Sequence, residues 1–287
     1  MIMSRLPFQI SGLFVSLLLI GCYEPQEGCL NTDAVNYAVA ADDPCGSCCT
    51  FPAFNLTMLH VVEWPDDTVA MRYNVYYPAA NAAVNRDSFL LERARFFISN
   101  VKLVKENGTE ITVLDTLRLT FESGAAITVS DNFAKLDRDI FQARKLGTLI
   151  TEGVFTEIRL TLGLEEFLQQ DKITSDLPEK HPLDASTDTI IYEKDTGFTP
   201  VLLVVRHDTM VVKDSLEFRF FEPVPVNVTL AQPFVVEKGF NVKLSLKTDY
   251  SDWFEGVDFK NDSYQTIRQK IKDNLPNVFS VTEIKLE

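Results

Sequence analysis

Beyond residue 54, apolar and polar residues alternate one by one. In 240–248, Phe240, Val242, Leu244 and Leu246 share one side of an extended chain, while Asn241, Lys243, Ser245 and Lys247 share the other. In 157–162, Ile158, Leu160 and Leu162 alternate with Glu157, Arg159 and Thr161, and 215–220 and 224–230 read the same way. Successive side chains of a strand point to opposite faces, so a period of two marks a strand with one dry and one wet face. The same reading predicts strands over 54–63, 69–77, 95–104, 111–121, 200–206 and 278–286. Asn107-Gly108, Lys238-Gly239 and Pro223 supply turns between them. Helix is expected in three short stretches: 133–145, 164–170, and 263–273, where Ile267 and Ile271 stand four apart. Many short strands with little helix predict an all-β fold: an antiparallel β-sandwich of the immunoglobulin-like two-sheet kind, with a few short helices. No internal repeat or linker divides this body, so it reads as one domain.

The first residues follow another rule. Arg5 precedes a mostly apolar run over 6–20, too short to span a bilayer comfortably and followed by small and polar residues. It reads as a signal peptide. The run ends 19-LIGC-22, which resembles the bacterial lipobox, in which the cysteine after glycine is diacylated and becomes the first residue. Two acyl chains give stable anchoring where one does not. The reading is a lipoprotein signal peptide over 1–21 and lipidation at Cys22, which places the chain in the cell envelope as an outer-membrane lipoprotein facing the periplasm or the cell surface.

Charge narrows the partners. The chain carries 27 basic and 41 acidic side chains, a net charge of −14. Arg5 is the only charge in the leader, so its removal makes the mature chain one unit more negative. Nucleic acid and anionic membrane surfaces are bound through basic patches, so neither is expected as a partner. The expected membrane contact is the lipid anchor alone.

Compartment also decides how the remaining cysteines read. Cys29, Cys45, Cys48 and Cys49 follow the anchor, and disulfides persist in exported chains. Four cysteines allow three connectivities. Cys48 and Cys49 are neighbours and are not expected to pair with each other, so Cys29 takes one of the other three. The spacing C-x15-C-x2-C-C is poor for zinc, whose sites use two separated pairs. The stretch resembles a short cysteine module of Bacteroidetes surface proteins through Gly28, Cys29, Ala34, Asn36, Tyr37, Ala41, Asp42, Asp43 and Cys48. Asn31 departs from it where the pattern often has Asp, and the PCGSCC ending is richer in cysteine. The resemblance implies a disulfide-held spacer, so 22–53 reads as a lipidated, disulfide-rich stalk.

The body as a whole resembles the MbnP-like family of periplasmic proteins, related to those found beside methanobactin genes. The residues that carry this are 97-FISNVKLVKENG-108, 154-VFTEIRLTLGL-164, 181-HPL-183 and 233-PFVVEKGFNVKLSLKTDYSDWFEGVDF-259. Residues 54–287 are then an MbnP-like β-sandwich domain. The resemblance implies copper-binding members, in the best understood of which a tryptophan oxidised to kynurenine, often by a partner dihaem peroxidase, joins histidines at the metal. Relatives carry a tryptophan-rich W-x-W-x-x-G-Y segment where this chain reads 189–209. Gly197 and Phe198 survive there, but no tryptophan does.

Imidazole suits copper, and the only histidines are His60, His181 and His207. They are the expected ligands if a copper ion is bound. His60 and Trp64 share a strand face, yet four residues at about 3.3 Å each separate them too far to hold one ion. The acidic set Asp249, Asp252, Asp258 and Asp262 lacks an EF-hand spacing and reads as a solvated face or a helix cap. No G-x-S-x-G, H-E-x-x-H, P-loop or G-x-G-x-x-G occurs. Ser99 with Lys102, and Ser130-Asp131-Asn132, imitate a serine β-lactamase set. On a regular strand, odd spacing sends Ser99 and Lys102 to opposite faces. The expectation is therefore no enzyme but an anchored envelope binding protein that handles copper, against a structural or protein-interaction lipoprotein without a metal site.

Overall fold

The computed structural model describes residues 24–64, 67–78, 88–138, 143–169, 172–184, 192–193, 197–207 and 215–287. The leader, Cys22 and residues 208–214 lie outside these. Two short strands open the described chain, β1 (Glu27–Gly28) and β2 (Asp43–Pro44), paired in parallel. The body follows: β3 (Ala53–Trp64), β4 (Asp67–Ala70), β5 (Tyr76–Pro78), β6 (Ser88–Lys105), β7 (Glu110–Ile111), β8 (Thr116–Thr120), β9 (Ala126–Ser130), β10 (Ala134–Asp137), β11 (Arg144–Thr148), β12 (Gly153–Leu162), β13 (Tyr192–Glu193), β14 (Gly197–Phe198), β15 (Val201–His207), β16 (Leu216–Phe220), β17 (Val224–Val236), β18 (Val242–Asp249) and β19 (Phe279–Leu286). The helices are α1 (Glu166–Gln169), α2 (Tyr250–Trp253) and α3 (Tyr264–Asn274). None of the described helices is long and apolar enough to cross a membrane.

Two sheets face each other. One runs β16-β15-β6-β12-β17, with β5, β7 and β10 also pairing on β6; the other runs β11-β3-β18-β19, with β4 on β3. Phe54, Leu56 and Met58 of β3 and Leu244 and Leu246 of β18 meet Phe96, Ile98, Ile158, Leu160 and Leu203 of the larger sheet in one core. The two-sheet all-β reading therefore holds. Its one departure from antiparallel pairing in the body is β18 beside β3, in register from Val242 opposite Phe54 to Asp249 opposite Val61.

The strand β6 is eighteen residues long and changes phase twice. Its core-facing residues are Phe89 and Leu91, then Ala94, Phe96 and Ile98, then Val101 and Leu103. Each change coincides with a register shift, against β15 between Val204 and Val205 and against β12 between Arg159 and Thr161. These are β-bulges, which insert one residue and bend the strand. At the second, Asn100 takes φ +54°, a left-handed conformation that asparagine tolerates and β-branched residues do not. Its N–H donates to Asn132 Oδ1 at 3.0 Å.

Part of the outer face of the larger sheet is also dry. Phe97 and Leu202 pack there under the β8–β9 hairpin, with Leu119, Leu164, Leu168, Leu183 and Phe198, forming a second core. Gly197 lets this layer close, because a Cβ there would lie 2.3 Å from the Gln169 carbonyl oxygen. The surviving glycine–aromatic pair Gly197-Phe198 is thus packing: Phe198 meets Phe97 edge-on at 5.6 Å.

Three predicted elements need correction. The stretch 133–145 is not helical where it is described, because Ala134–Asp137 pairs antiparallel with β6 and Arg144 begins β11 on β3. Its spacing reflected burial on both faces: Phe133 lies in the second core, and Ala134 and Leu136 in the first. The predicted strand 69–77 is broken at 71–75, and 111–121 is broken at 112–115. Helix 263–273 is confirmed within a residue, capped by Ser263, whose side chain accepts from Thr266 N–H.

The bulge makes a testable demand. Asn100→Val should lower unfolding free energy by about 1–3 kcal/mol in a urea titration, while Asn100→Gly should be close to neutral. Equal losses for both would remove the conformational argument.

Candidate functional site

The three histidines sit in three different surroundings. His60 lies on β3 with Thr248 of β18 opposite it. Just beyond, Asp249 caps α2, accepting from Ser251 N–H at 2.9 Å and from Glu63 N–H at 3.1 Å. That turn folds Tyr250 back so that its hydroxyl shares a 2.9 Å hydrogen bond with His60 Nδ1, the rings stacked at 15°. Trp253 closes the corner, donating from Nε1 to Thr248 Oγ1 at 2.8 Å, with Phe96 5.5 Å from its ring. Burial drives the Tyr250 phenol well above its ordinary range, with the neighbouring Tyr73 and Asp137 adding to it. Tyr250 therefore stays a neutral phenol, and His60 is a core residue with a polar tip.

His181 is committed at both nitrogens. Its Nδ1 accepts the Leu183 N–H at 3.1 Å, so the proton of the neutral ring sits on Nε2, which donates to Asp131 Oδ1 at 2.9 Å. The ring meets Phe133 edge-on at 6.1 Å. This histidine pins the 178–184 turn onto the second core and has no lone pair left for a metal.

His207 ends β15, opposite Phe89 of β6, and stacks on Phe259 at 5.7 Å. Its Nδ1 is buried without a hydrogen bond among the described residues. The tryptophans do not gather near it: Trp253 is buried beside Tyr250, and Trp64 ends β3 opposite Asp67. No group of three histidine, cysteine, aspartate or glutamate side chains able to hold a metal occurs among the described residues. The expected set His60, His181 and His207 is therefore not brought together, and these residues do not fit a three-histidine copper centre.

A different place gathers polar side chains. A cleft of about 230 Å³ opens on the outer face, lined by Ser99, Asn100, Ser130, Asn132, Glu165 and Phe167, among others. Ser99 Oγ donates to the Gly163 carbonyl at 2.9 Å. Asn132 Nδ2 donates to Thr112 Oγ1 at 3.1 Å and to Val101 O at 3.3 Å. The bulge at Asn100 corrects the face argument. Core-facing positions pass from Ile98 to Val101, so Ser99 and Lys102 fall on the same, outer side. They still do not form a catalytic pair: Lys102 Nζ is held by Glu110 at 2.7 Å, and the Ser99 hydroxyl by the backbone. What the cleft offers is neutral donors and acceptors, one carboxylate and the half-exposed ring of Phe167 on its rim, a surface suited to recognition. Asn132 was visible in the sequence only as part of a misleading motif; Gly163 and Tyr250 entered only as members of the family-like stretches 154–164 and 233–259.

The cysteines pair Cys29–Cys49 and Cys45–Cys48. The segment they staple leans on the sandwich. Asp33 meets Lys238 Nζ at 3.3 Å, and Gly239 comes so close that a Cβ would lie 3.1 Å from the Ala34 carbonyl oxygen. Cys22 lies outside the described residues.

The acidic set caps and ties turns. Asp249 caps α2, and Asp262 accepts from Asp258 N–H at 2.8 Å and pairs with Lys270 at 2.6 Å. Asp252 is left at a corner where partial burial, then the charges of Asp249 and Glu255, push its carboxyl from the ordinary 3.8 up to about 6. Between those values the unfolded chain ionises here before the folded one does, so stability falls as pH rises through that window. Asp252→Asn should raise Tm relative to wild type near about pH 7 and leave it unchanged near about pH 3.5; a pH-independent difference would dismiss the effect.

The MbnP family model matches residues 52–271, more than half of the chain. Among solved structures the chain is similar to MbnP from Methylosinus trichosporium, at 14% identity and a TM-score of 0.42, over 72% of this chain and 78% of that one. No curated protein matches the chain.

Proposed function

This chain belongs to the MbnP family, and from that premise we propose that it is a lipid-anchored envelope protein that works by recognising another envelope component, not by a three-histidine copper centre. The observation that carries this reading is the fate of the histidines. They lie in three separate surroundings with no metal-holding group among the described residues: His60 bonds Tyr250, His181 has both nitrogens engaged, and His207 stacks on Phe259. The outer-face cleft sets the exposed ring of Phe167 beside Glu165 and Ser130, over a rigid floor of Ser99 and Asn132 hydrogen-bonded within the protein. Interfaces concentrate their energy in a few such aromatic anchors. The net charge of −14 favours a partner with a basic face and argues against nucleic acid. The signal peptide and Cys22 supply the anchor in this reading.

Two measurements test it together. Capture from envelope extracts should recover one partner with the wild-type chain, bound about thirtyfold more weakly by Phe167→Asp, since a truncated hot spot costs about 2 kcal/mol or more. Equal recovery by both would move the surface elsewhere. Metal analysis of the purified chain should show no stoichiometric copper. Copper retained by the wild type and lost in His207→Ala would return the chain to metal handling.

A further inference from the structure

The two disulfides of the N-terminal module differ in the loops they close and in their exposure. Cys29–Cys49 spans a sequence separation of 20, and Cys29 is buried at 1% exposure. Cys45–Cys48 spans a separation of only 3, and Gly46, Ser47 and Cys48 are all exposed. The restraint a disulfide places on the unfolded chain grows with the loop it closes, so this bridge adds the least stability a bridge can. Exposed disulfides are also the ones thiolates reach.

Both cysteines are held in place by bonds other than their own bridge. Cys45 N–H donates to Gly28 O at 2.9 Å, beside the β1–β2 pair. The Cys48 carbonyl accepts from Asn36 Nδ2 at 2.7 Å, and Asn36 Oδ1 in turn accepts from Thr50 N–H at 2.8 Å. Cys49, next in sequence, is tied by the buried bridge. Opening Cys45–Cys48 would leave two sulfurs positioned to close again.

We propose that Cys45–Cys48 is a thiol–disulfide exchange site, whose substrate class is a dithiol, small or protein-borne, in the cell envelope. A thiolate of that dithiol attacks the exposed Cys48 Sγ. The new mixed disulfide forms as the Cys45–Cys48 bond breaks, and its electron pair leaves on Cys45, which takes up a proton. The second thiol of the donor then displaces Cys48, so the donor becomes a disulfide and the chain a dithiol. Two electrons and two protons have moved from donor to chain, and the reverse sequence reoxidises it. Cys29–Cys49 exchanges more slowly, because Cys29 is buried and attack is left only at the half-buried Cys49. This site lies before the residues matched by the family and is independent of the outer-face surface.

The test uses the full mature chain in its oxidised form, exposed to dithiothreitol under native conditions and quenched with an alkylating reagent at intervals. Mass mapping should show Cys45 and Cys48 labelled about tenfold or more faster than Cys29 and Cys49. The double variant Cys45→Ser, Cys48→Ser should fold with Tm within a few degrees of wild type and lose the fast phase. Labelling of all four cysteines at one rate would overturn the proposal, as would a double variant that fails to fold, since the bridge would then be a staple.

Discussion

The constraint on which the rest depends is the length of β6. Eighteen residues of one strand must stay dry on the core side while strands pair along both edges, and a right-handed twist carries any long regular strand away from a facing sheet. The two bulges solve this by resetting which residues face inward. The residues around the second bulge are also those through which the sequence resembles its family: Ile98, Ser99, Asn100, Val101 and Lys102. Ser99 ties the bulge to Gly163, and Asn100 adopts the conformation it needs. A motif that imitates a catalytic pair is thereby explained as backbone geometry.

Where β6 is buried on both faces, polar groups near it are mostly paired within the protein. Tyr73 shows the same rule as His181. Its hydroxyl donates to the Ala94 carbonyl at 2.8 Å and lies 3.0 Å from Asp137 Oδ1, while Arg95 Nε donates to the other oxygen of that carboxylate, Oδ2. Burial, then the Asp137 charge, raises that phenol above its usual range. Buried groups satisfied in this way specify one packing, and a side chain fully committed to packing has nothing left with which to bind a metal.

Much of this fold was legible. Strict alternation placed β12, β16, β17 and β18 because each has one face dry and one wet. It placed 95–104 and 200–206 as strands as well, but not their second buried face. Phe96-Phe97-Ile98 and Val201 to Val205 are continuous apolar runs, a signal of the second core that alternation cannot express. The same double burial made 133–145 look helical. The site was less legible still. Histidine count and residue type suggested ligands, but ligation depends on where two strands and a turn bring the rings, and that is set by bulges, caps and register that single residues do not announce. The open choice of disulfide connectivity is of the same kind.

The cysteine module shows where covalent bonds are needed and where they are not. The sandwich holds together without a disulfide, on a core that includes Phe54, Phe96, Phe155 and Trp253 at 1% exposure or less. Residues 24–51 bury only Cys29 and Ala34 among their apolar side chains. A segment that small cannot stabilise itself by burial, so a covalent staple is the expected substitute. Cys29–Cys49 meets that need completely: it closes most of the module and is itself the centre of what little core there is. Once that bridge is made, the module is further fixed by Asn36 and by its contact with Lys238 and Gly239. A second bridge across two intervening residues adds almost nothing to a segment already so tied. Its position at the surface is therefore better accounted for by chemistry at sulfur than by the folding of the module.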